Sequence, residues 1–154
     1  MKVWVDADAV PGVIKEIILR AVIKRVIPTI FVANRPIAVP ASPNVSTIQV
    51  SQGPDEADRY IAEHATHEDI VITQDIPLAA ILVPLGAAVI SVHGNLFTDA
   101  NIGERLFVRN MMQEIRDTGG RTGGPKPYSE KDKQQFANTF DRTITKKLKE
   151  AGAV

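Results

Sequence analysis

Residues 2–15 read KVWVDADAVPGVIK. Val3, Trp4 and Val5 make a short apolar run of strand formers. After Pro11 and Gly12, the apolar residues Val13, Ile17, Ile18, Ala21 and Val22 recur at helical spacing. A buried strand running into a helix opens a βαβ unit, and this reading decides the fold class. The join carries Asp6 and Asp8, two like charges one residue apart where a buried strand ends. Their mutual repulsion asks for a counter-ion.

Outward from that unit the pattern repeats. IPTIFVAN (27–34) and VSTIQV (45–50) are β-branched runs separated by the proline-rich RPIAVPASPN. Gly53 and Pro54 suit the N-cap and first position of a helix in which Ala57, Ile61 and Ala65 share a face. DIVIT (69–73) predicts a fourth strand, IPLAAILVPLG (76–86) a short helix closed by Gly86, and AAVISV (87–92) a fifth strand. Strands alternating with helices predict an α/β fold of three layers around a mostly parallel, five-stranded sheet. Two C-terminal helices follow. Residues 101–117 predict an amphipathic helix with Leu106, Phe107, Met111 and Ile115 facing inward, and TGGRTGGPKPYS (118–129) a loop. A last helix spans 129–150, where Ser129 and Asp132 have capping-box spacing and Phe136, Phe140, Ile144 and Leu148 repeat every four residues. Too few apolar residues remain there for a second core, so both helices are expected to pack on or beside one domain spanning 1–154.

Composition narrows the chemistry. The chain has 154 residues, 44% of them hydrophobic, and no cysteine, which excludes disulfide scaffolds, thiolate metal sites and thiol nucleophiles. The N-terminus reads as a strand rather than a secretory leader. The longest apolar stretch, from Ile76 to Ile90, is broken by Pro77, Pro84 and Gly86 and is too short to span a bilayer. A cytoplasmic protein with no membrane partner is expected. Net charge is zero, yet residues 1–100 hold 7 Lys and Arg against 11 Asp and Glu, while residues 101–154 hold 11 against 7. An acidic centre flanked by a basic C-terminal third suits a metal-dependent enzyme acting on a polyanion.

In an open parallel sheet, ligands gather at the carboxyl ends of the strands, where strand order reverses. By that rule Asp6 and Asp8 leave the first strand, Asn34 the second, Asp75 the fourth and His93 the fifth. Asp55 and Asp58 sit in the first turns of the helix entered from the third strand, three residues apart and facing the same way. Each has a plainer reading: Asp55 and Glu56 suit the positive end of a helix dipole, Asp58 a surface pair with Arg59, and Asp8 a turn. Asp6 and Asp75 resist such readings because both end central strands. Carboxylates converging on one rim oppose joint ionisation, and Mg²⁺ or Mn²⁺ relieves the repulsion with oxygen ligands. Thr73 is placed to orient Asp75. His64 and His67 fit the negative end of a helix. Arg105, Arg109, Arg116, Arg121 and Lys126 are candidate phosphate contacts, with GGRTGGPK combining cations and exposed backbone N–H groups.

VDADAVP (5–11), GPDEAD (53–58), VITQDIPLA (71–79), NIGERL (101–106) and RTGGP (121–125), in that order, resemble the YaiI/YqxD family of bacterial proteins over essentially the whole length. That family is similar in turn to PIN-like domains, the fold of many Mg²⁺- or Mn²⁺-dependent ribonucleases and of flap-type nucleases. The resemblance implies a PIN-like, Rossmann-like fold and a nuclease-like site. It matches Asp6, Asp58 or Asp55, and Thr73 with Asp75 to the positions of the PIN acids, leaving open which of Asp55, Glu56 and Asp58 serves.

Three functions compete. The leading one is hydrolysis of a nucleic acid, RNA before DNA, with Asp6, Asp58 and Asp75 catalytic and holding the metal, and Asp8 and Asp55 assisting. Asn34, Thr73, Arg105, Arg121 and Lys126 are then the substrate side. The second is a phosphatase of the haloacid dehalogenase type using Asp6 as nucleophile, although TQDIPLA lacks the partner acid such enzymes need. The third is a nucleic-acid-binding module without turnover.

Overall fold

The computed structural model describes residues 1–120 and 128–152. In chain order the elements are β1 (Val3–Asp6), α1 (Gly12–Arg25), β2 (Thr29–Ala33), β3 (Val45–Gln49), α2 (Glu56–His64), β4 (Ile70–Ile72), α3 (Ile76–Leu82), β5 (Ala88–Ile90), β6 (Leu96–Phe97), α4 (Ile102–Asp117) and α5 (Glu130–Glu150). The strands form one sheet in the order β3-β2-β1-β4-β5-β6. The first five are parallel, as the alternating pattern predicts. A sixth, β6, pairs antiparallel with β5 and was too short to register as a periodic run.

Period-two alternation sorts the strand side chains between two cores. Val3, Val5, Phe31, Ile70, Ile72 and Ile90 face a layer made by α1 and α5, which contribute Ile14, Ile18, Val22, Phe136, Phe140 and Ile144. Trp4, Val32, Val71 and Val89 face α2 and α3, with Ala57, Ile61, Leu78 and Leu82. On α1 the buried line runs through Ile14, Ile18 and Val22, with Val13, Ile17 and Ala21 partly buried beside it. Helix α5 begins at the capping box of Ser129 and Asp132 that the spacing predicts.

Two expectations change. Helix α2 starts later than Gly53 and Pro54 suggest: its N-cap is Asp55, held in the left-handed region at φ 63°. Helix α4 does not turn its apolar side inward. It leans on α3 and leaves Phe107 64%, Met111 45% and Ile115 38% exposed, with no fully buried residue. Periodicity reveals that a helix has an apolar face but not what covers it.

The winding reverses between β1 and β4. From β1 the chain passes through α1 to β2 and on to β3; from β3 it crosses through α2, on the opposite face, to β4 on the other side of β1. The carboxyl ends of β1 and β4 therefore border the crevice at the switch point. Asp69 anchors the entry to β4 from below: its buried carboxylate accepts from Lys2 N (2.9 Å), Trp4 Nε1 (3.0 Å) and Thr66 N (2.9 Å). Among the described residues, no helix is long and apolar enough to cross a membrane.

Candidate metal centre

Three carboxylates meet over the switch point. Asp55, Asp58 and Asp75 each offer an oxygen, and these oxygens lie within 4.8 Å of one another. Asp55 arrives through its left-handed backbone, a conformation that Asp tolerates better than most residues and that costs an L-residue about 1–2 kcal/mol. Asp58 follows one turn into α2, where Glu56 instead pairs with Arg59 at 3.5 Å. Asp75 is the N-cap of α3: its Oδ1 accepts from Leu78 N (2.8 Å), with Pro77 in the first turn. The capping reading and the cluster reading both hold for Asp75, since one oxygen caps and the other remains for the cleft.

Asp6 lies beneath, only 6% exposed. Its Oδ2 accepts from the hydroxyl of Thr73 (2.9 Å), and the same hydroxyl accepts from Asp75 N (3.0 Å), so one side chain ties the ends of β1 and β4 together. Burial pushes the Asp6 carboxyl up, with the charges of Asp75 and Asp8 adding to it and hydrogen bonds from Thr73 and Asp58 opposing it. Asp58 is pushed up to about 8, first by burial, then by its hydrogen bond with Asp75 and the charges of Asp6 and Asp75. Without a cation the site is thus overfull of negative charge and keeps a proton on Asp58 to relieve it.

That donor set fits a hard divalent cation. It is all carboxylate oxygen, with no nitrogen or sulfur, and its spread compares with about 4.2 Å between oxygens on opposite sides of a Mg²⁺ ion.

The remaining sequence candidates fall in several places. Asp8 lines the same cleft, but Oδ2 accepts from Asn34 N (2.8 Å) and Oδ1 lies 3.3 Å from Arg35 Nε, so both oxygens are engaged with the chain leaving β2. Asn34 and Gln74 line the cleft as well, and Gln74 Oε1 also accepts from Val92 N (3.0 Å). Arg105 stands elsewhere, its guanidinium 5.6 Å from the centre of the Phe97 ring. Arg121 and Lys126 lie outside the described residues. His93 pairs with Asp132 at 3.2 Å beside Tyr128, and His64 stacks on Tyr60 at 4.1 Å. Two cations share a cleft with Asp55, Asp58 and Asp75: Arg109, one of the phosphate contacts that the sequence suggests, and Arg59, which the sequence offers only as a neighbour of Asp58. Arg59 sits four residues from Asp55, a helical spacing that could have flagged it; which of the C-terminal cations reaches the acids depends on how α4 meets α3, for which no local signal exists.

The profile of the "Uncharacterized BCR, YaiI/YqxD family" matches residues 4–146. Curated relatives named UPF0178 protein include one from Syntrophobacter fumaroxidans, 52% identical over 99% of both chains, and one from Myxococcus xanthus, 52% identical over 97% of both. Another, from Psychromonas ingrahamii, is 47% identical over 97% of this chain and 99% of its own. No solved structure matches the chain. Matched over nearly its whole length by the family profile and by these relatives, the chain belongs to the YaiI/YqxD family.

Proposed function

We propose that the protein is a phosphodiesterase acting on nucleic acid, with Mg²⁺ or Mn²⁺ held by Asp55, Asp58 and Asp75. The observation that carries this reading is the meeting of three carboxylates, Asp55 and Asp58 from the start of α2 and Asp75 from the start of α3, within 4.8 Å of one another. A bound cation would supply charge neutralisation and Lewis acidity toward a phosphate. The chain's own groups supply the rest. Asp6, fixed by Thr73, sets the charge below the three acids, and Arg59 and Arg109 offer guanidinium donors to phosphate oxygens along the same cleft. A PIN-like ancestry agrees with acids at these chain positions. A phosphatase with Asp6 as nucleophile has less support, because Asp6 is buried with one oxygen held by Thr73, and Asp8 is occupied by Arg35 and Asn34.

The test is cleavage of end-labelled single-stranded RNA and DNA with Mn²⁺, wild type beside Asp58→Asn and Asp75→Asn. Both variants keep side-chain shape, and the asparagine replacing Asp75 still caps α3. Wild-type cleavage that both variants reduce at least about 100-fold supports the reading. Equal cleavage in all three proteins, or none in any, refutes it.

A further inference from the structure

The clefts of this protein join end to end. The cleft holding Asp6, Asp55, Asp58 and Asp75, about 440 Å³, shares the three clustered acids with a second of about 370 Å³ that reaches Arg109 on α4. Arg109 also lines a third, about 610 Å³, which runs along α4 from Arg116 at one end to Arg105 at the other. Arg105 and Asn101 in turn line a fourth, also about 610 Å³, between the β5–β6 turn and α5, where Arg142 and Lys146 face it. The charge changes sign along this path. It is acidic at the switch point and predominantly cationic from Arg109 onward, with Glu104 and Glu150 as the acids on that stretch. Among the described residues, Arg105, Arg109, Arg142 and Lys146 make no ion pair with a carboxylate, whereas Arg25, Arg35 and Arg59 all do. Arg142 and Lys146 stand four apart on α5, so both present to the same side.

We infer that these joined clefts form a track for the backbone of a single-stranded polynucleotide, running from the acidic centre along α4 and around the β6 edge to Arg142 and Lys146 of α5. The inference rests on the proposed nuclease reading for its starting point, and it names the form of the substrate. Cations without carboxylate partners are free to neutralise phosphates, and each such contact releases a counter-ion condensed on the strand. The path fixes strandedness. It begins over the face covered by α2 and α3 and ends against α5, which covers the other face. A duplex with a persistence length of about 150 base pairs resists bending around so small a body, and a single strand does not.

The experiment is binding of a fluorescent 20-nucleotide single strand in EDTA, followed by anisotropy across a salt series. The wild type is compared with Arg142→Ala/Lys146→Ala and with a control pair on α1, Arg20→Ala/Lys24→Ala. All four side chains are exposed. The α5 pair is expected to weaken binding and to lower the slope of log K against log salt by about 1.4, about 0.7 for each cation lost from a single-strand contact. The control pair is expected to change neither, and a duplex of the same sequence to be indifferent to the α5 pair. Equal losses in both pairs, or a wild-type slope in the α5 pair, overturn the track. Failure of the nuclease reading looks different: a strand bound along the track, sensitive to Arg142 and Lys146, that Mn²⁺ never causes to be cleaved.

Discussion

The proton on Asp58 makes cation binding steeply dependent on pH, and the size of the effect follows from the site. With the carboxyl pushed up to about 8, only about one molecule in eleven has Asp58 ionised at pH 7, and about one in a hundred at pH 6. A cation needs it ionised, so apparent Mn²⁺ affinity rises about tenfold, about 1.4 kcal/mol, between pH 6 and pH 7, and binding at pH 7 releases about one proton. Titration calorimetry in two buffers of different ionisation heat reads both quantities. Stability moves the opposite way without metal. The folded chain holds a proton that the unfolded chain loses near pH 4, so the contribution is complete below that pH and drains away as pH rises toward 8. Asp58→Asn removes the titration and melts higher than wild type at pH 8 in EDTA, while the two converge at low pH. An Mn²⁺ affinity flat between pH 6 and 7.5, with heats independent of buffer, would refute the reasoning.

Other changes follow from particular residues. Asp55→Asn keeps a residue that accepts the left-handed backbone but removes a ligand charge; Mn²⁺ affinity falls at least about tenfold by calorimetry, while melting in EDTA stays level or rises. Val26 ends α1 in the left-handed region at φ 54° with a β-branched side chain that is 69% exposed, so Val26→Gly removes strain without losing burial and gains about 1 kcal/mol in urea denaturation. Gly94 has φ 84°, and a Cβ there would come within 2.6 Å of the Gln135 backbone; Gly94→Ala forces α5 off the β5–β6 turn, costing about 3 kcal/mol by the same measurement.

The parallel core was legible because its strands are continuous apolar runs and its helices carry unmixed apolar stripes, as in Phe136, Phe140 and Ile144. The rim acids were legible for a different reason: a charge at the end of a buried strand has few uses. What escaped needed three dimensions. Nothing local distinguishes Asp8, which has both oxygens engaged by Asn34 and Arg35, from Asp55, which reaches the cluster only because of one left-handed residue. Asp69 enters the sequence reading only as the first residue of the fourth strand, yet its three donors come from a turn and from the start of a strand some sixty-five residues away. Helix α4 showed its stripe but not its neighbours, and so the apolar side was assigned to the interior.

Thr73 has one hydrogen to give, and its acceptor side is already taken by the Asp75 amide, so that hydrogen points at Asp6. The arrangement gives the rim a built-in polarity: the Thr73 hydrogen partly offsets the upward push of burial on the deep acid, while the hydrogen bonds at the more accessible Asp58 add to that push. An arriving ion consequently meets its chief proton-releasing group at the mouth of the cleft, where water can carry the proton off.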